Sequence, residues 1–281
     1  MHFSSGPERT AAVRVEAVVA DLDGTLVRRD FSVSQATVEA LELLAAARIP
    51  IVIATARTPS GVEYLSDIGR RAALAVCCSG TIGWSSRRKC LLWQDTLDTD
   101  TVATLVELAT GRGAGVASFD GQLWRMTLEY GHFGASPAAP HGQAKVIVEA
   151  ADIVRAPCCT VAVRDSPDHL EALASLLACE VQSCAISRGG TTLLDVTPHG
   201  VDKGTGTSRA LALLGVTRAA TIGFGDMPSD VPMLRAVGRA YAVGDASPSV
   251  VNAAHEVVED VERDGFANKI AELADSGWRV E

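Results

Sequence analysis

The chain is short of the features that mark several large classes of protein. Aromatic residues make up 5% of its 281 residues, and 25 Lys plus Arg stand against 34 Asp plus Glu, a formal net charge of -9. Nucleic acid and anionic membranes both need basic surface to neutralise their phosphates, so neither suits this chain as a partner. Long apolar runs are missing too. Residues 72–86 carry no charge, but Gly80 and Gly83 interrupt them, and they are too short and too polar to span a bilayer. Residues 1–14 are polar and lack the apolar centre of a signal peptide, which reads as a flexible tail on a cytoplasmic protein. Cysteine is sparse: seven residues, an odd number with no C-x-x-C spacing, argue against a metal cluster and a disulfide framework. Cys77-Cys78 and Cys158-Cys159 lie in apolar runs and read as reduced core thiols.

What is present is apolar content of 47% with 21% charged residues, enough for a substantial core and too hydrophobic for disorder. At this length two domains, or one core with an insertion, are expected. The apolar run 17–20 reads as a strand, Ser34 as the cap of a helix with Val38, Leu41, Leu44 and Ala45 at helical spacing, and 51–54 as a buried parallel strand. A further strand is expected at 74–78. The same alternation returns late in the chain: helix 205–214, strand 221–224, helix 231–237, strand 240–243. This order makes a parallel sheet with right-handed crossovers the default. Between the two portions the pattern changes. A strand at 91–93, a helix at 99–109 and a hairpin turning at Asp120-Gly121 are followed by a strand at 160–163, a helix at 167–179 and a hairpin turning at 188–190. The pattern suggests a loose duplication of a β-α-β-β unit, its halves joined by a loop rich in small residues at 134–143. The expected division is a tail over 1–14, a core over 15–82 and 199–281, and an inserted domain over 83–198.

The chemistry is concentrated at Asp21-Leu22-Asp23-Gly24-Thr25, two carboxylates one residue apart at the end of the first strand. Open α/β sheets bind ligands at such carboxyl ends. One carboxylate can attack a phosphate ester to form an aspartyl-phosphate while its neighbour moves a proton and a divalent cation offsets the charge. Such chemistry further needs a donor for the phosphoryl oxygens, a cation and more carboxylates. Thr55 with the Ala56 backbone follows the second strand. Lys203 opens a helix, where its amine adds to the positive helix end. Asp226 and Asp230 follow the strand at 221–224, and oxygen ligands of this kind suit Mg²⁺. Singly, each has an ordinary structural reading: a turn, a strand-end hydroxyl, a solvated lysine, a helix cap. Their joint occurrence in this order outweighs those readings.

The ordered set D-L-D-G-T, A-T-A-R, G-V-D-K-G-T and G-D-M-P-S-D resembles the haloacid dehalogenase (HAD) superfamily, specifically its Cof-type phosphatases of subclass IIB. The resemblance runs from Val15 to Lys269 and includes the later loops at 243–246 and 264–267. It implies a Rossmann-like parallel-sheet α/β core with an inserted α/β cap of C2B type, and a Mg²⁺-dependent phosphatase acting on a small phosphorylated metabolite such as a sugar phosphate. Carried over, Asp21 is nucleophile and metal ligand. Asp23 is general acid and base and offers its backbone carbonyl to Mg²⁺. Thr55 and Ala56 hold the phosphoryl group, and Lys203 pairs with it and steadies Asp21. Asp226 is the distal metal ligand, supported by Asp230. Three positions depart from the family's pattern: Ser229 for asparagine, Ala56 for glycine and Asp245 for asparagine. They imply weaker phosphate binding through Ser229, a tighter space beside the phosphate, and added negative charge. Arg125, His132, Arg164 and Arg188 are cap candidates for contacting a leaving group. Trp84, Trp93 and Trp124 are candidates for stacking on a sugar or for core packing. Rival readings are a sugar phosphomutase on the same scaffold and a catalytically impaired phosphate-ligand binding protein. A monomer or homodimer is expected.

Overall fold

In the computed structural model, which describes residues 12–132, 144–244 and 246–280, the four residues of the strand Ala17–Ala20 are all buried. So are those of Ile51–Ala54 and Leu74–Cys77. Runs without polar alternation are what a parallel sheet covered on both faces demands. These strands lie in an eight-stranded sheet ordered Glu256–Val258, Arg239–Val243, Thr221–Gly225, Ala17–Ala20, Ile51–Ala54, Leu74–Cys77, Ile82–Ser85, Cys90–Gln94. The first six are parallel, and the last two are added antiparallel. From Ala17–Ala20 the chain builds outward on one side, then returns at Thr221–Gly225 to build on the other. The order therefore reverses between these two strands, which opens a crevice at their carboxyl ends.

The sequence places 91–93 in the inserted domain, but Cys90–Gln94 pairs with Ile82–Ser85 and extends the core sheet. A hairpin between two apolar stretches pairs locally, so this strand never reaches the second sheet. The reading of a duplicated β-α-β-β unit is corrected accordingly: its first copy lacks its first strand. The six-stranded second sheet runs Cys184–Arg188, Leu193–Pro198, Thr160–Arg164, Gly115–Phe119, Trp124–Met126, Lys145–Ile147. Both expected hairpins are present in it. One face packs Val116, Val161, Val163, Leu194 and Val196 against the helices Thr99–Thr110 and Pro167–Glu180. The alternate residues of these strands face the other way, and Phe119 joins the core cluster there, as does Cys159 just before the strand Thr160–Arg164.

At the amino end, Val13–Arg14 pairs with Arg279–Val280, so these two residues are strand rather than tail. Residues 1–11, the loop expected at 134–143, and Asp245 lie outside the described residues. No described helix is long and apolar enough to cross a membrane. The described cysteines are free, although Cys78 leaves its strand and turns at φ 48°.

Candidate active site

Asp21, Thr55 and Asp226 directly follow the neighbouring strands Ala17–Ala20, Ile51–Ala54 and Thr221–Gly225. The sheet thus delivers all three to one edge. Asp21 is 4% exposed, and its N–H donates to the carbonyl of Phe224 at 3.0 Å. Its Oδ1 accepts from Lys203 Nζ at 2.7 Å, and the same ammonium donates to Asp230 Oδ1 at 2.6 Å. Lys203 is the first residue of the helix Lys203–Leu214, capped by Asp202, whose carboxylate accepts the Thr205 N–H at 2.7 Å while Thr205 Oγ1 accepts the Asp202 N–H at 2.9 Å. The helix approaches both the sheet and the helix Val231–Arg235 closely because it carries glycines. A Cβ at Gly204 would meet the Pro232 carbonyl oxygen at 2.4 Å, and one at Gly206 would meet Val76 Cγ1 at 2.4 Å.

Asp230 ends the turn Pro228–Asp230 and is fully buried. Its Oδ2 accepts the N–H groups of Asp226 and Met227 at 3.0 and 2.9 Å, so both its oxygens already have protein donors. Asp226 is less committed: its Oδ1 accepts from Thr25 Oγ1 at 2.8 Å. The loop after the first two acids turns at Gly24, where φ is +89° and a Cβ would sit 2.3 Å from Asp226 Oδ2. Glycine is required here twice over, for its backbone and for its missing side chain.

Ligand oxygens of Asp21, Asp226 and Asp230 lie within 4.8 Å of one another. Burial, then repulsion from Asp230, pushes the Asp21 carboxyl well above the ordinary range. The same causes push Asp226 up to about 7. Burial disfavours the Lys203 ammonium, but Asp21 and Asp230 outweigh it and hold its pKa above the usual value. Three acids share one lysine, an excess of negative charge that a divalent cation would relieve. The donor set of hard oxygens fits Mg²⁺, with Asp21 and Asp226 placed to hold it and Asp230 orienting the Asp226 loop.

Asp23 points elsewhere. Its carboxylate is 45% exposed and receives Arg57 Nε at 2.8 Å and the second guanidinium nitrogen at 2.5 Å, a bidentate pair with an arginine that is itself 4% exposed. Arg57 belongs to the A-T-A-R run yet carries no role in the sequence reading. Its signal is a charged residue three positions beyond a wholly apolar strand. Thr55 is buried, its Oγ1 accepts the Arg57 N–H at 3.0 Å, and Ala56 is exposed beside it. Ser229 lines a cavity of about 410 Å³ with Lys203 and Ser79 of the core and Ser187 and Arg188 of the second sheet.

The other candidates separate. Arg125 pairs with Asp120 at 2.6 Å, and Arg188 pairs with Glu171. The Arg164 guanidinium lies 4.9 Å from the centre of the Tyr130 ring. His132 is exposed at the end of the helix Leu128–His132. The tryptophans all pack against core clusters. Trp124 stacks on Phe119, Trp84 donates to Glu63 at 2.9 Å, and Trp93 donates to the Gly80 carbonyl at 3.1 Å.

The sequence pattern of the haloacid dehalogenase-like hydrolases matches residues 18–270. The chain belongs to that family. It is 39% identical over 79 residues to a phosphoglycolate phosphatase of Methanothrix thermoacetophila, covering 28% of this chain and 36% of that one. It thus spans only about a third of such curated relatives. Against the 5-amino-6-(5-phospho-D-ribitylamino)uracil phosphatase YcsE of Bacillus subtilis the identity is 22% over 259 residues, 92% of this chain and 95% of that one. Among solved structures, the HAD subclass IIB sugar phosphatase BT4131 shares the fold with a TM-score of 0.82 at 20% identity, covering 92% of this chain and 99% of that one. A haloacid dehalogenase-like hydrolase from Bacteroides thetaiotaomicron gives 0.79 at 22% identity, over 92% and 100%.

Proposed function

We propose that this chain is a phosphatase of small phosphorylated metabolites, with sugar phosphates as the favoured class, working through an aspartyl-phosphate. The observation that carries the reading is the Lys203 ammonium held between Asp21 and Asp230 beside Asp226, at the carboxyl edge where the sheet order reverses. The names of the relatives and neighbours, sugar phosphatase among them, support it.

Asp21 presents a carboxylate oxygen to the phosphorus while its other interactions hold the side chain in place. As the P–O ester bond breaks, Asp23 gives its proton to the departing alcohol oxygen. It then takes a proton from the water that attacks the aspartyl-phosphate, and Asp21 and phosphate are released. Lys203 and the Thr55 hydroxyl face the charge on the phosphoryl oxygens. Bound Mg²⁺ supplies neutralisation of that charge and of the three acids. Asp23 reaches the leaving oxygen by turning from Arg57, a motion its exposure permits.

The test is phosphate release by the purified protein with Mg²⁺, over a panel of phosphorylated sugars and an aryl phosphate, beside Asp21→Asn. Release that needs Mg²⁺ and falls by about 10³-fold or more in the variant is the expected result. A folded, Mg²⁺-loaded protein that releases nothing would sink the phosphatase reading in favour of phosphotransfer between sugars or ligand binding alone.

A further inference from the structure

Asp195 occupies the strand Leu193–Pro198, where its flanking residues Leu194 and Val196 are buried among the apolar side chains under the two cap helices. By alternation its own side chain is on the opposite face. It pairs there with Ser187 on one side and Ala162 on the other, and Arg164 shares that face. The neighbouring pair on the same face, Ala185 and Thr197, lines the 410 Å³ cavity together with Ser187, and the far wall of that cavity is Lys203 and Ser229 of the core. Asp195 is therefore one pairing step from the cavity, on the sheet face that carries Ala185, Ser187 and Thr197. The Lys203 ammonium is near enough for its charge to act on the Asp195 carboxyl. The turn residue Gly189 leaves room for the group, since a Cβ there would lie 2.6 Å from Asp195 Oδ2. Burial pushes its pKa up to about 6, and the charges of Lys203 and Arg164 oppose that rise.

The cations around the seam already have acids or rings. Lys203 is held by Asp21 and Asp230, Arg57 by Asp23 and Arg188 by Glu171, and Arg164 lies against Tyr130 and acts on Asp195. A leaving group that brought its own carboxylate would meet the Asp195 carboxyl and cations that each already face an acid or a ring. One that brings hydroxyl or ammonium donors would meet an acceptor.

We propose that Asp195 selects the leaving group, favouring alcohols that present hydrogen-bond donors and rejecting those that carry a carboxylate. The idea rests on the phosphatase reading, and it separates this chain from the phosphoglycolate phosphatases that match a quarter or so of its length.

The test is the ratio of kcat/KM for a hexose 6-phosphate to that for 2-phosphoglycolate, with Mg²⁺, in the wild type, Asp195→Asn and Asp195→Ser. Such a ratio is indifferent to the fraction of active enzyme, so loss of folded protein alone leaves it unmoved. The expected outcome is a wild-type preference for the sugar ester that drops at least about tenfold in both variants. Glucosamine 6-phosphate in the same series separates ammonium from hydroxyl recognition, and its preference falls furthest if charge dominates. A ratio unmoved in both variants, or a wild type that prefers phosphoglycolate, overturns the proposal and leaves the phosphatase reading standing. If the wild type cleaves no ester, that reading falls by itself. Calorimetric affinities of Asp21→Asn, with and without Asp195→Asn, for the two esters then decide the role of Asp195, with an unchanged ratio of affinities refuting it.

Discussion

At the scale of single residues, the site depends on how charge is shared. Lys203 and its two carboxylates are almost wholly enclosed, so replacing the lysine by methionine strands two negative groups in a poor dielectric. The expected cost to stability is roughly 3–5 kcal/mol, measured by urea unfolding without Mg²⁺. Adding Asp21→Asn to Lys203→Met should recover part of that loss, because one fewer charge is left unpaired; strict additivity of the two single changes would show that the groups are not coupled. Arg57 acts differently, since it grips the more exposed Asp23 through two parallel hydrogen bonds. Arg57→Ala should lower kcat by about tenfold or more with a smaller change in KM, and Arg57→Lys should restore little, because an ammonium cannot reproduce the planar fork. Steady-state kinetics of the two variants side by side decide this.

At the scale of elements, close approach is what carries each acid to its place. The loop after Ala17–Ala20 brings its backbone against Asp226 only because residue 24 has no side chain and takes φ +89°. Gly24→Ala should therefore displace Asp226 and weaken Mg²⁺ binding by about tenfold or more, read by calorimetry, while the far-UV spectrum of the fold is retained. The helices and strands of the core were readable because their apolar residues recur at the period of each element: Ser34 does cap a helix, Gln35–Ala46, by accepting the Thr37 N–H at 3.0 Å. Ser166 also opens a helix, Pro167–Glu180, but makes no such cap bond. The late strand Glu256–Val258 and the helix Gly265–Asp275 were not read, the one being three residues long and the other following a left-handed Asp264 rather than an ordinary cap.

For the whole molecule, the excess of acid at one sheet edge sets how pH and metal act together. Asp21 and Asp226 have native pKa values above their unfolded ones, so without metal the site loses stability as pH rises from about 4 through about 7. Mg²⁺ needs the same carboxylates ionised, and its stabilisation grows over that window as protons cease to compete. Saturating MgCl₂ should raise the melting temperature clearly more at about pH 8 than at about pH 6. An equal shift at both values would mean that the cation binds elsewhere.

The order of four charged motifs, each after an apolar run or at the start of a helix, determined the family and the sheet and marked the candidate acids, because these depend on local periodicity and on spacing along the chain. What only tertiary structure decided is which neighbour each acid meets. Asp21 and Asp23 are two residues apart, yet one faces Lys203, 182 positions away, and the other faces Arg57. The strand Cys90–Gln94 joined the core through its hairpin, and Asp195 came to the cavity side of its sheet through a register with Ser187 and Ala162. Such pairings are set by packing between distant segments, and in a strand a shift of one residue would have turned Asp195 to the opposite face.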